Sequence, residues 1–120
     1  MLNSYKNLVV WQRSIELVIE IYRMTALFPK TELYGLVAHV RKTAISIPSN
    51  IAEGYTRKHR QEYIQFLRIA FGSGAELETQ IIIAKQLKLI PLKEFNKTDG
   101  LLEEVQKMLN KLINTLVAKP

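Results

Sequence analysis

From Leu8 onward, apolar residues return every three or four positions: Leu8, Trp11, Ile15, Val18 and Tyr22. This is the period of one face of an α-helix. It predicts a first helix over about residues 8–27, stopped by Pro29, which lacks the N–H a helix needs and restricts the residue before it. Leu33, Val37, Val40, Ala44, Ile47 and Ile51 keep the same period, with Thr31 placed as the N-cap and Gly54 as the C-terminal stop. A third stripe, Tyr63, Leu67, Ala70, Gly74, Leu77, Ile81 and Ala84, predicts a helix from near His59 to near Leu89. A fourth follows Pro91, with Phe95, Leu102, Val105, Leu109, Leu112 and Leu116 on one face. Short connections force neighbouring helices antiparallel, so the economical fold is all-α: an antiparallel up-down-up-down four-helix bundle, one domain over residues 1–120.

Two features modulate that bundle. Pro48 lies inside the second helix and removes one backbone hydrogen bond, which predicts a kink over Ala44 to Pro48, or a break, with Ser46 or Ser49 available to the freed carbonyl. Gly72-Ser73-Gly74 lies mid-way along the third helix, where each glycine costs up to about 1 kcal/mol relative to alanine. The helix is expected to survive because a neighbour packs closely there.

The third helix also carries more apolar residues than one stripe requires: Ile64, Phe66, Ile69, Phe71, Ile82 and Ile83 lie partly outside it. Such coverage means either a fully packed central helix or a face closed against another subunit. These six residues are the candidate interface of a homo-oligomer.

Composition narrows the class. With 120 residues, 48 % of them hydrophobic, and only five Gly and four Pro, the chain can fold around one core. The absence of cysteine excludes disulfides, thiolate metal sites and a thiol nucleophile. Met1 to Lys6 contain no apolar leader segment, and charges interrupt every hydrophobic run before it could span a bilayer. A cytoplasmic protein without a membrane partner is expected.

Enzymatic constellations are sparse. His39 and His59 stand alone, and neither belongs to a Glu-x-x-His pair of the kind that builds metal sites in bundles. Glu16 and Glu20, one turn apart, read as a solvated face. Glu53 and Glu76 would need a dry cleft to act as acid and base. Gly72-Ser73-Gly74 follows no strand and no Gly-Lys-Ser or Gly-Lys-Thr accompanies it, so it is not a phosphate loop. No enzyme activity, metal, cofactor or small-molecule substrate is expected.

The charge is more informative. The net charge is +6, and residues 1–60 carry nine bases against four acids, while residues 61–120 carry eight against seven. Arg41, Lys42, Arg57, Lys58 and Arg60 cluster in sequence against one acid, Glu53, and are the candidate nucleic-acid-binding residues. The last three fall where the second helix turns into the third, whereas Arg41 and Lys42 lie some three turns earlier and can form a separate patch. Tyr55 lies beside the cluster, either to stack on a base or to pack over the bundle end. A nucleic-acid-binding module and a protein–protein scaffold with incidental charge both fit.

The segments Phe28-Pro29-Lys30-Thr31-Glu32, Val40 to Ile47, Asn50-Ile51-Ala52-Glu53-Gly54 and Phe66 to Ser73 with Glu76, together with the opening Leu8-Val9-Val10-Trp11, closely resemble one family. It is the 23S rRNA intervening-sequence protein family, also called S23 or four-helix-bundle proteins, and the resemblance covers nearly the whole chain. It implies a bundle that assembles into a ring-shaped homopentamer without known enzymatic activity. Some members are encoded within rRNA gene insertions, and a related branch serves diversity-generating retroelements, binding a reverse transcriptase and its RNA. His39 and His59 depart from the family's usual Gln and Ser, and the second removes a capping box with Glu62. The resemblance also casts Asn50, Glu53, Ser73 and Glu76, on the facing second and third helices, as a structural polar network fixing helix register.

Overall fold

The computed structural model describes residues 4–120. Four helices account for its length: α1 (Val9–Thr25), α2 (Ala38–Thr56), α3 (Arg60–Gln86) and α4 (Asn96–Val117). They form a rod of 49 × 22 × 21 Å in which α1 packs on α2 and α4, and α3 packs on the same two. This is the expected up-down-up-down bundle. One core runs its length, from Val10, Leu17, Ile21 and Met24 of α1 through Val40, Ala44, Ile47 and Ile51 of α2 and Leu67, Ala70, Leu77, Ile81 and Ala84 of α3. Leu102, Val105, Leu109 and Ile113 of α4 complete it.

The phase of α1 differs from the one the sequence suggested. Its buried residues are Val10, Ser14, Leu17, Glu20, Ile21, Met24 and Thr25, whereas Leu8, Trp11, Ile15 and Val18 are half-buried and Tyr22 is exposed. α1 carries two apolar stripes of the same period, and only one can face the core. Glu20, read as part of a wet face, is 3 % exposed. Its carboxylate accepts from the Arg23 guanidinium at 2.6–2.9 Å, with the Lys97 ammonium 4.0 Å away. A buried carboxylate is tolerable only with such partners. Its neighbour Glu16 stays exposed and pairs with Arg13.

Helix ends also depart from expectation. Thr31 caps nothing. A 3-10 turn over Lys30–Glu32, preceded by Pro29, leads through a π-helical turn at Leu33–Val37 into α2, and Leu33 stays exposed. Gly54 does not end α2, which continues to Thr56, and the left-handed residue that closes it is Lys58 at φ 63°. Lys88 at φ 54° does the same after α3, where the Leu89 N–H reaches back to the Ala84 carbonyl at 3.3 Å. Neither site has the glycine that makes this conformation inexpensive.

Gly54 is instead a point of close approach. A Cβ there would lie 2.6 Å from the Phe66 Cβ and 3.2 Å from the Tyr63 ring, so α2 and α3 could not pack as they do. The expectation for Gly72-Ser73-Gly74 holds at only one glycine. Gly74 is covered by the Gln106 side chain of α4, whose amide donates to the Phe71 carbonyl at 2.9 Å, while nothing lies within 4 Å of a Cβ on Gly72.

α2 continues through Pro48, which is buried, so the proline does not break the helix. The Ser46 hydroxyl donates to the Thr43 carbonyl at 2.6 Å and the Asn50 amide donates to the Ser46 carbonyl at 2.7 Å, bracketing the position where the Pro48 N–H is missing.

Candidate nucleic-acid interface

α2 ends at Thr56, the left-handed residue Lys58 turns the chain, and α3 begins at Arg60, so this tight reversal sets Arg57, Lys58 and Arg60 at one end of the rod. α4 runs back to the same end. The Arg60 guanidinium donates to the Pro120 carbonyl at 3.0 Å, and Lys119 joins Lys58 and Arg60 around a cavity of about 220 Å³ walled by Tyr55, Tyr63 and Leu116. The 3-10 turn at Tyr5–Asn7 closes the other side. Tyr5 lines a second cavity, of about 450 Å³, with Tyr55, Thr56 and Lys58. Tyr55 and Lys58 are common to both.

Local electrostatics favour an anion here. Among the described residues, Arg57 is the one cation of the turn held by an acidic side chain, Glu53, at 2.9 Å, and it also lies over the Phe66 ring at 5.1 Å. Both partners of that pair are exposed, so the pair contributes little. Glu62 lines a shallower hollow beside Arg60 and His59. His59 precedes α3 with extended backbone and offers no side-chain cap, as its identity led us to expect. Burial, and next the neighbouring Tyr55 phenol, push the Tyr63 hydroxyl up to about 12, so it is a neutral phenol in the cavity wall.

Arg41 and Lys42 are not part of this site. Arg41 lies sixteen residues before Arg57 on one helix, about 24 Å at 1.5 Å per residue. Its guanidinium donates to the Thr25 hydroxyl at 2.9 Å and lies over the Tyr22 ring at 4.4 Å, which ties α2 to α1. Lys42 is exposed on the flank.

The four polar residues expected to form a network are not joined to one another by any hydrogen bond among the described residues. Asn50 bonds within α2, Glu53 turns to Arg57, and Glu76 is exposed beside a half-buried Ser73. The buried polar tie between α2 and α3 is a different pair. The Gln80 amide donates to the Thr43 hydroxyl at 3.0 Å, and that hydroxyl donates onward to the His39 carbonyl at 2.9 Å.

Nor do the six apolar residues of α3 make one face. Ile64 is 8 % exposed and belongs to the core, and Phe66 is half-buried under Arg57. Ile69 and Ile83 lie on one flank by helical period, whereas Phe71 and Ile82 lie on the flank toward α4, where Ile82 lines a groove with Leu102 and Gln106. A second apolar surface is the outer stripe of α1, where Trp11, Ile15 and Val18 are half-buried and Ile19 and Tyr22 are exposed. Ile45, one turn beyond Arg41 on α2, is exposed beside it.

A family model described as 23S rRNA-intervening sequence protein matches residues 6–111. The chain belongs to the 23S rRNA-intervening sequence protein family. A crystal structure of a protein of unknown function from the S23 ribosomal protein family of Bacteroides thetaiotaomicron VPI-5482 superposes with a TM-score of 0.81 at 21 % identity. The match covers 88 % of this chain and 96 % of that one, so this intervening-sequence protein shares its fold. No curated protein matches the chain. Among the described residues of this intervening-sequence protein, no helix is long and apolar enough to cross a membrane, and no three His, Asp or Glu residues converge as a metal site would require.

Proposed function

We propose that this intervening-sequence protein is a non-catalytic, self-assembling module that binds nucleic acid through the basic end of its bundle. The observation that carries the reading is the convergence there of Lys58 from the turn after α2, Arg60 at the start of α3 and Lys119 just past α4 around the smaller of two cavities that share Lys58, whose walls contain tyrosines and no acid. A cleft lined by one sign of charge concentrates polyanions, and phosphate contacts release condensed counterions. Self-assembly rests on the outer stripe of α1, which pairs a large apolar surface with the adjacent Ile45. A ring of five, as the family resemblance implies, would repeat each basic end by symmetry, so that several weak contacts reinforce one another.

Anisotropy or gel-shift titrations at two salt concentrations test the proposal. Binding is expected at low salt and to weaken steeply as salt rises. Arg57→Glu with Lys58→Glu and Arg60→Glu should weaken it while helicity and assembly persist. Absence of binding at low salt, or binding indifferent to the charge reversal, would favour the scaffold reading, for which the apolar face of α1 is then the working surface.

A further inference from the structure

The paired cavities at the basic end combine two features that a duplex does not need together: aromatic walls and cations at their rim. Tyr55 and Lys58 line both hollows. Tyr5 adds a second aromatic side chain to the larger one, and Lys119 and Arg60 add charge to the smaller. Tyr55 and Tyr63 form a T-shaped pair with ring centroids 5.8 Å apart, and Tyr5 and Trp11 form another at 5.4 Å. In such T-shaped pairs the edge of one ring meets one face of the other, which fixes the plane of each ring. In a stacked duplex the base faces are covered and only phosphates reach a convex bundle end, whereas unpaired bases can enter hollows of about 220 and 450 Å³. Backbone phosphates then lie within reach of Lys58, Arg60 and Lys119.

We infer that this end is a seat for single-stranded nucleic acid, with an unpaired base stacked on Tyr55 and the flanking phosphates held by Lys58, Arg60 and Lys119. The inference rests on the nucleic-acid reading above and narrows it to the unpaired strand. Stacking on an aromatic side chain contributes about 1–3 kcal/mol per base and tolerates any sequence. Removing the ring should therefore weaken single-strand binding by about 5- to 150-fold. Tyr55→Phe keeps the ring and should keep the affinity.

The test uses fluorescent oligothymidylate, oligouridylate and a mixed-sequence duplex of equal length. Each is titrated at low salt against the full chain and against Tyr55→Ala, Tyr55→Phe and Tyr5→Ala. Preference for single strands, lost in Tyr55→Ala, kept in Tyr55→Phe and reduced in Tyr5→Ala, with duplex binding unchanged throughout, supports the seat. The two oligomers report whether ribose or deoxyribose strands are preferred. Circular dichroism and light scattering establish that each variant folds and assembles. Should Tyr55→Ala fail to fold, Tyr5→Ala decides, because Tyr5 lies outside the core. Equal affinity for single strands and duplex, indifferent to both tyrosines but sensitive to the charge reversal, overturns this inference and leaves the broader proposal standing. No binding of any probe overturns both.

Discussion

Two glycines on facing helices should answer the same substitution with opposite signs. At Gly72 an alanine Cβ meets nothing within 4 Å, so Gly72→Ala gains the helix propensity of alanine, about 0.8–1 kcal/mol. Gly54→Ala gains the same propensity but places its Cβ 2.6 Å from the Phe66 Cβ and 3.3 Å from the Tyr63 carbonyl. The Phe66 Cβ is fixed to the α3 backbone and cannot swing away, so the two helices must part. Overpacking of that kind costs about 1–3 kcal/mol, and the backbone anchoring places this site near the upper end, for a net loss of about 2 kcal/mol. The variants should differ by about 3 kcal/mol, which for a chain of this size is a gap of roughly 12 °C in melting midpoint. Gly74→Ala should fall between them, because the atoms it meets belong to the Gln106 side chain, which can rotate away at the loss of its bond to the Phe71 carbonyl. Thermal and urea unfolding followed by far-UV circular dichroism measures the order directly. All samples need one protein concentration, since the proposed assembly would shift the midpoint by mass action. If Gly54→Ala melts as high as Gly72→Ala, the close approach of α2 and α3 is not what holds a glycine at position 54.

Thr43→Val leaves the Gln80 amide without its acceptor in a buried site and should cost about 1–3 kcal/mol in urea unfolding, whereas Thr43→Val with Gln80→Leu should recover most of that; additive losses would refute the pairing. Lys88→Gly relieves a left-handed residue and should stabilise by about 1 kcal/mol, a gain readable as a higher melting midpoint. Tyr63 has a folded pKa of about 12, above its usual 10, so its burial contributes stability that is complete below pH 10 and is lost as pH rises toward 12. The alkaline decline of the wild type should therefore exceed that of Tyr63→Phe, and parallel curves would refute the burial argument. Ile19→Glu with Ile45→Glu should reduce the mass seen by light scattering to one chain, and an unchanged assembly would remove the α1 face from the interface.

Periodicity in the sequence determined the number, order and approximate ends of the helices, because a 3.6-residue repeat is a local property that each segment carries alone. Short connections then left little choice of topology, and the basic turn at Arg57, Lys58 and Arg60 was legible because its residues are adjacent in the chain. Which stripe faces inward was not legible. Leu8, Trp11, Ile15, Val18 and Tyr22 share the period of Val10, Leu17, Ile21 and Met24 on α1, and only the positions of α2 and α4 decide between them. The same holds for Gly54 and Gly72, identical in sequence terms, of which one meets a backbone-anchored neighbour and the other open space. Tertiary structure alone brought Lys119 and Tyr5 to the basic end, and it withdrew Arg41 from that site by giving its guanidinium to Thr25 and Tyr22. A side chain's partners depend on elements far away in the chain, and spacing along one helix carries no information about them.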